Sequence, residues 1–218
     1  LDYVLHDMRL TKSRAEVEVM REAAHIASGA HIRAMRACHP GGSEFGIMAE
    51  ILHEFRRHNT DTAYEPIVGG GANSCILHYR ENNQALKGGD LLLIDAGCEY
   101  EYYASDITRT FPVNGRFSPE QRAVYDIVLA ANEAAIRKVR PGASWNDPHE
   151  AAVQVVTQGL VKLGLLKGSV AKLVKAGAYQ RFFMHRTGHG LGIDVHDVGD
   201  YRLGEAWRVL EPGMVLTI

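Results

Sequence analysis

The chain has 218 residues, 46% of them apolar, and a net charge of −2. That suffices for a sizeable core in one domain or two small ones, and scattered Lys and Arg give no electrostatic case for nucleic-acid binding. No apolar run is long enough to span a membrane, no secretory signal is visible, and Cys38, Cys75 and Cys98 lack zinc-ligand spacing, so they read as reduced thiols of a cytoplasmic protein.

Ser13-Arg-Ala-Glu16 has capping-box spacing and predicts a long amphipathic helix over roughly 14–37, with Val17, Met20, Ala24 and Ala27 on one face. Pro40-Gly41-Gly42 ends it, and Ser43 caps a second helix running to about His58. Tyr64 to Val68 and Cys75 to Tyr79 are predicted as short strands around the Gly69-Gly70-Gly71 turn. Gly88-Gly89-Asp90 turns into a strand over Leu91 to Gly97. A second strand, about Tyr102 to Pro112, follows closely enough for an antiparallel hairpin. Ser118-Pro119-Glu120-Gln121 starts a helix to about Val139, and Asn146 or Asp147 before Pro148 opens another that ends near Gly164. A short helix over 169–176, a histidine-rich stretch and a final strand over about 213–218 complete the chain. The order is helix, helix, strands, then the same again: an α+β pattern of two related halves, the second unfinished.

Chemistry concentrates in two places. Asp95 and Asp106 each sit in a segment that reads as buried strand, where an isolated carboxylate is costly unless paired, hydrogen-bonded or metal-bound. If the hairpin register brings them face to face, a cation between them removes their repulsion. The alternative is that one caps a turn and the other pairs with Arg109. Further on, His185, His189 and His196 lie among Gly188, Gly190 and Gly192, which argue against a zinc-binding helix and for backbone that approaches a ligand closely. His78, alone on its predicted strand, reads first as a satisfied core histidine. The Gly69–Gly71 run lacks a following Gly-Lys-Ser/Thr, and no Gly-x-Ser-x-Gly elbow is present, so neither a phosphate loop nor a serine hydrolase is supported.

Together, Asn73-Ser-Cys-Ile-Leu-His78-Tyr, Leu93-Ile-Asp95-Ala-Gly-Cys-Glu-Tyr, Ala104-Ser-Asp106-Ile-Thr-Arg-Thr-Phe, Phe183-Met-His185, His189-Gly-Leu-Gly-Ile-Asp-Val-His196 and Leu210-Glu-Pro-Gly-Met-Val-Leu-Thr carry a resemblance. The chain resembles the metallopeptidases of the creatinase/methionine aminopeptidase family, which share the pita-bread fold, and within them the Xaa-Pro aminopeptidases (aminopeptidase P). The match spans nearly the whole chain. It implies a linker remnant over 1–12 and a catalytic domain over 13–218, truncated at its C-terminus.

The resemblance further implies hydrolysis that releases an N-terminal residue preceding proline, on two divalent metal ions, Mn²⁺ first and Zn²⁺ or Co²⁺ after it. By motif, Asp95 would chelate one metal, Asp106 would bridge both and His189 would bind the other. His78 and His196 match histidines that hold substrate and steady the transition state, and His185 lines the pocket for the proline side. The implied partners are peptides with proline second and further copies of the chain, as dimer or tetramer. The family's two glutamate ligands fall beyond Ile218, so the 218 residues alone are expected to hold at most one metal weakly and to be nearly inactive. Glu211-Pro212-Gly213 resembles one glutamate motif in composition, but it precedes the final strand and is assigned no metal. A proline dipeptidase and a non-catalytic peptide-binding module of the same fold remain as alternatives.

Overall fold

A computed structural model describes all residues, Leu1–Ile218. In chain order the elements are α1 (Asp2–Leu10), α2 (Arg14–Ala37), α3 (Glu44–Arg57), β1 (Asp61–Thr62), β2 (Ile67–Gly70), β3 (Leu91–Ala96), β4 (Cys98–Tyr100), β5 (Tyr103–Ala104), β6 (Ile107–Pro112), α4 (Pro119–Ile136), α5 (Asp147–Lys162), α6 (Val170–Lys175), β7 (Arg202–Leu203) and β8 (Ala206–Trp207). No helix is long and apolar enough to cross a membrane. The chain forms two compact units.

One unit comprises residues 12–118 and 191–197. The capping box that opens α2 forms as read, with Glu16 N–H donating to the Ser13 hydroxyl and Ser13 N–H to the Glu16 carboxylate. The buried stripe of α2 runs through Met20, Ala23, Ala27, Ala30 and Ala34, while Ala24 faces out. That stripe follows the i, i+3, i+7 spacing that starts at Met20. Together with Ile47, Ile51 and Phe55 of α3 it covers Leu92 and Ile94 of β3, which makes the core.

Two antiparallel sheets share this unit, in the orders β2-β3-β6 and β1-β4-β5. The predicted strand over Tyr102 to Pro112 is therefore two strands in different sheets, with Asp106 between them. The chain passes from β3 to β4 through Gly97. A Cβ there would lie 1.7 Å from the Ser105 carbonyl oxygen, so no larger residue fits. Ser105 fastens the crossing, with its N–H donating to Cys98 O and its hydroxyl accepting from Cys98 N–H.

The predicted strand Cys75–Tyr79 does not form. Gly71–Cys75 is a 3₁₀ turn, and His78 takes a left-handed backbone conformation, φ +55°. The apolar run Cys-Ile-Leu mimics a strand, yet Ile76 and Leu77 are 54% and 62% exposed. The upstream strand is Ile67–Gly70 rather than Tyr64 to Val68.

The other unit comprises residues 1–11, 119–190 and 198–218. Helices α4 and α5 pack closely at Gly159, where a Cβ would meet the Ile127 side chain at 2.5 Å. Ala143, Trp145 and Leu210 form a second cluster, with Trp145 stacked on Tyr201 at 4.2 Å. Residues 1–10, read as linker, contain helix α1. The predicted strand over 213–218 is reduced to single bridges, Thr11 with Met214 and Gly190 with Leu216. Asn146 precedes α5 without capping it; instead Asp147 accepts from Ser144 N–H.

Candidate metal centre

The register of the β2-β3-β6 sheet places the carboxylates. Asp95 pairs with Thr108 across β3 and β6, so Asp106 is not directly opposite. It lies two residues before Thr108, the diagonal neighbour on the same face. Both carboxylates reach one group, the Tyr64 hydroxyl, which stands 2.6 Å from Asp95 Oδ1 and 3.0 Å from Asp106 Oδ1. A phenol carries one proton and so donates fully to only one carboxylate at a time.

The electrostatics follow from that crowding. Burial pushes the Asp95 carboxyl above its usual range, and the Asp106 charge adds to it. Hydrogen bonds from Tyr64 and Thr108 and the charge of His78 pull the other way. Tyr64 itself is driven far up by burial and by the two carboxylates, so it stays a neutral donor. Arg109 faces Ile94 across the ladder and donates to the Thr108 carbonyl.

Two half-buried carboxylates on one face meet the electrostatic requirement for a divalent cation. The donor set is nonetheless partial: no three or more His, Cys, Asp or Glu side chains cluster closely enough to hold an ion.

The remaining residues singled out in the sequence divide between the units. His78 and His196 belong with Asp95 and Asp106, and His185 and His189 belong to the other unit. His78 is exposed in its turn but close enough for its charge to act on Asp95. His196 is exposed beside Asp197, whose carboxylate makes a 2.8 Å ion pair with Lys12, the side chains being 1% and 3% exposed.

His189 is half-buried, and its Nδ1 donates to the Gly190 carbonyl at 2.9 Å. In the neutral ring that fixes the lone pair on Nε2, the tautomer of a metal-binding imidazole. Its backbone is tied to Thr217 because Gly188 has no Cβ, which would sit 2.0 Å from the Thr217 carbonyl oxygen. His185 packs edge-on to Phe183, with ring centroids 5.6 Å apart, and donates from Nδ1 to the Arg186 carbonyl.

Residues 18–218 match the model of metallopeptidase family M24. The chain belongs to that family. It is 53% identical over 216 residues to the Xaa-Pro aminopeptidase of Escherichia coli and 50% identical over 216 residues to that of Haemophilus influenzae. In each case the match takes in 99% of this chain and about half of the relative, 49% and 50%. Among solved structures, Pseudomonas aeruginosa aminopeptidase PepP superposes with a TM-score of 0.98 at 60% identity, over 99% of this chain and 49% of that one. A zinc-substituted E. coli aminopeptidase P in complex with product gives 0.95 at 52% identity, over 98% and 49%. The fold of this M24 chain is thus the pita-bread fold of aminopeptidase P.

Reading the sequence for chemistry missed Tyr64, Glu44 and the Lys12–Asp197 pair. Tyr64 carried a usable signal: a polar aromatic at the edge of a strand segment needs a partner for its hydroxyl when half-buried. The other two carried none, because their partners lie far away in sequence.

Proposed function

We propose that this M24 chain is the metal-binding part of an Xaa-Pro aminopeptidase, which hydrolyses the bond between an N-terminal residue and a following proline. The observation that supports this best is the convergence of Asp95 and Asp106 on one hydroxyl, at 2.6 and 3.0 Å. By the family motif, Asp95, Asp106 and His189 would be ligands of divalent ions. Oxygen donors with a single imidazole favour Mn²⁺, with Zn²⁺ or Co²⁺ as substitutes. When bound, such ions polarise a scissile carbonyl and activate water at neutral pH.

The chain's own residues supply the rest. Tyr64 keeps its proton and orients the carboxylates. His78, in its left-handed turn, and His196, next to the buried Lys12–Asp197 pair, would donate hydrogen bonds to substrate. Removing one such donor costs on the order of 10²-fold in rate. His185 and Phe183 offer an aromatic wall suited to a proline ring. The protein would act in the cytoplasm, as a dimer or tetramer, on peptides.

The test is cleavage by the natural gene product, at its own full length, of an Xaa-Pro tripeptide against an Xaa-Pro dipeptide after Mn²⁺ loading. Tripeptide cleavage supports the aminopeptidase reading, and cleavage of the dipeptide alone makes it a proline dipeptidase. Metal binding with no cleavage of either leaves a peptide-binding module.

A further inference from the structure

We propose that Glu44 is a positioning residue for His78: its buried carboxylate is the post on which the 70–84 loop is hung. The proposal rests on the reading of His78 as a substrate-facing group.

Glu44 is the first residue of α3 and fully buried, at 0% exposure. Its Oε1 accepts from Gly70 N–H at 2.8 Å and from Asn73 Nδ2 at 2.9 Å. Its Oε2 accepts from the Tyr79 hydroxyl at 2.8 Å and from Gln84 N–H at 2.9 Å. Its own N–H donates to Gln84 O at 2.9 Å. One side chain thus holds both ends of the loop and two points within it, one of them next to His78.

Besides Glu44, the loop is held by buried Asn82, whose side chain accepts from Val68 N–H at 2.9 Å and donates to the Pro66 carbonyl at 2.8 Å. The loop makes no strand, and its only regular element is the 3₁₀ turn Gly71–Cys75. His78 sits at φ +55°, a conformation that a non-glycine residue keeps only where its surroundings enforce it. Burial alone would raise the Glu44 carboxyl, yet the hydrogen bonds from Asn73, Gly70, Gln84 and Tyr79 outweigh it and hold the group below its usual range. It is therefore an anion with four acceptor sites filled by four donors. A glutamine has one accepting oxygen and would turn an NH₂ towards two donors, so it cannot replace the carboxylate.

The test uses the natural gene product with Glu44→Gln, His78→Ala and the double variant, followed by kcat/KM on an Xaa-Pro tripeptide and by amide hydrogen exchange. Glu44→Gln is expected to lose as much kcat/KM as His78→Ala, on the order of 10²-fold. The double variant is expected to lose no more than either single one. Exchange at 70–84 is expected to speed up at least about tenfold while β3 and β6 keep their protection. Wild-type kcat/KM in Glu44→Gln, or multiplying losses in the double variant, would overturn the positioning role. Wild-type turnover in His78→Ala would instead remove the role of His78 itself, and the proposal with it. If Glu44→Gln does not fold, Tyr79→Phe, which deletes the donor beside His78, is read by the same criteria.

Discussion

The Tyr64 hydroxyl stands 2.6 Å from Asp95 Oδ1 and turns the same oxygen towards Asp106 at 3.0 Å. Two like charges on one face are thereby ordered by a neutral donor that burial keeps protonated. Groups that orient metal ligands in this way typically change affinity 10- to 100-fold when removed. Tyr64→Phe should weaken Mn²⁺ binding by about tenfold, read by calorimetric titration, and should also lower the thermal transition of the metal-free protein, because the carboxylates lose their buried donor. Unaltered Mn²⁺ affinity would remove Tyr64 from the centre.

Gly97 is the residue that brings the two aspartate-bearing segments together. A Cβ would sit 1.7 Å from the Ser105 carbonyl oxygen, an overlap with backbone that no rotamer relieves. Gly97→Ala should destabilise the fold by roughly 3 kcal/mol and lower the chemical-denaturation midpoint accordingly. A midpoint within error of wild type would show that the crossing yields.

Lys12 and Asp197 form a buried pair at 2.8 Å. Breaking such a pair from one side leaves a buried charge and costs roughly 3 to 5 kcal/mol. Lys12→Met should show that loss in denaturant titration. Lys12→Met with Asp197→Leu should recover most of it, because both desolvation costs vanish together. Equal losses in the single and double variants would contradict the account.

His31 is buried on α2, and its Nε2 donates to the Ala96 carbonyl at 3.2 Å. Burial pushes its pKa below the usual 6.5, the hydrogen bond to Ala96 pulls back, and the charge of Arg109 lowers it further. As pH falls below about 6.5, the unfolded chain takes up a proton that the folded chain refuses, so stability is lost with acid. Between pH 7 and 5.5 the melting temperature of wild type should fall more steeply than that of His31→Gln. Parallel slopes would show that His31 does not contribute.

Local signals in the sequence sufficed where structure is local. The Ser13–Glu16 box and the Ser43 cap start their helices where the spacing places them. The β3–β6 pairing follows from the short connection between Asp95 and Asp106. Legibility ended where distant groups decide. Cys75–Tyr79 has the apolar run of a strand, but the Glu44 carboxylate holds the flanking residues in a loop. Lys12 and Asp197 are 185 positions apart, and no local pattern in the sequence links them. Taken singly, each histidine reads better as structural, and only the joint family motifs distinguished them.

The most direct test of the central claim is metal content and Xaa-Pro tripeptide cleavage in one preparation of the natural gene product, wild type beside Asp106→Asn. The account predicts about two divalent ions per chain and cleavage in wild type, with replacement of Asp106 losing metal and cleavage together. Asp106→Asn that keeps both its metal and its turnover would contradict it.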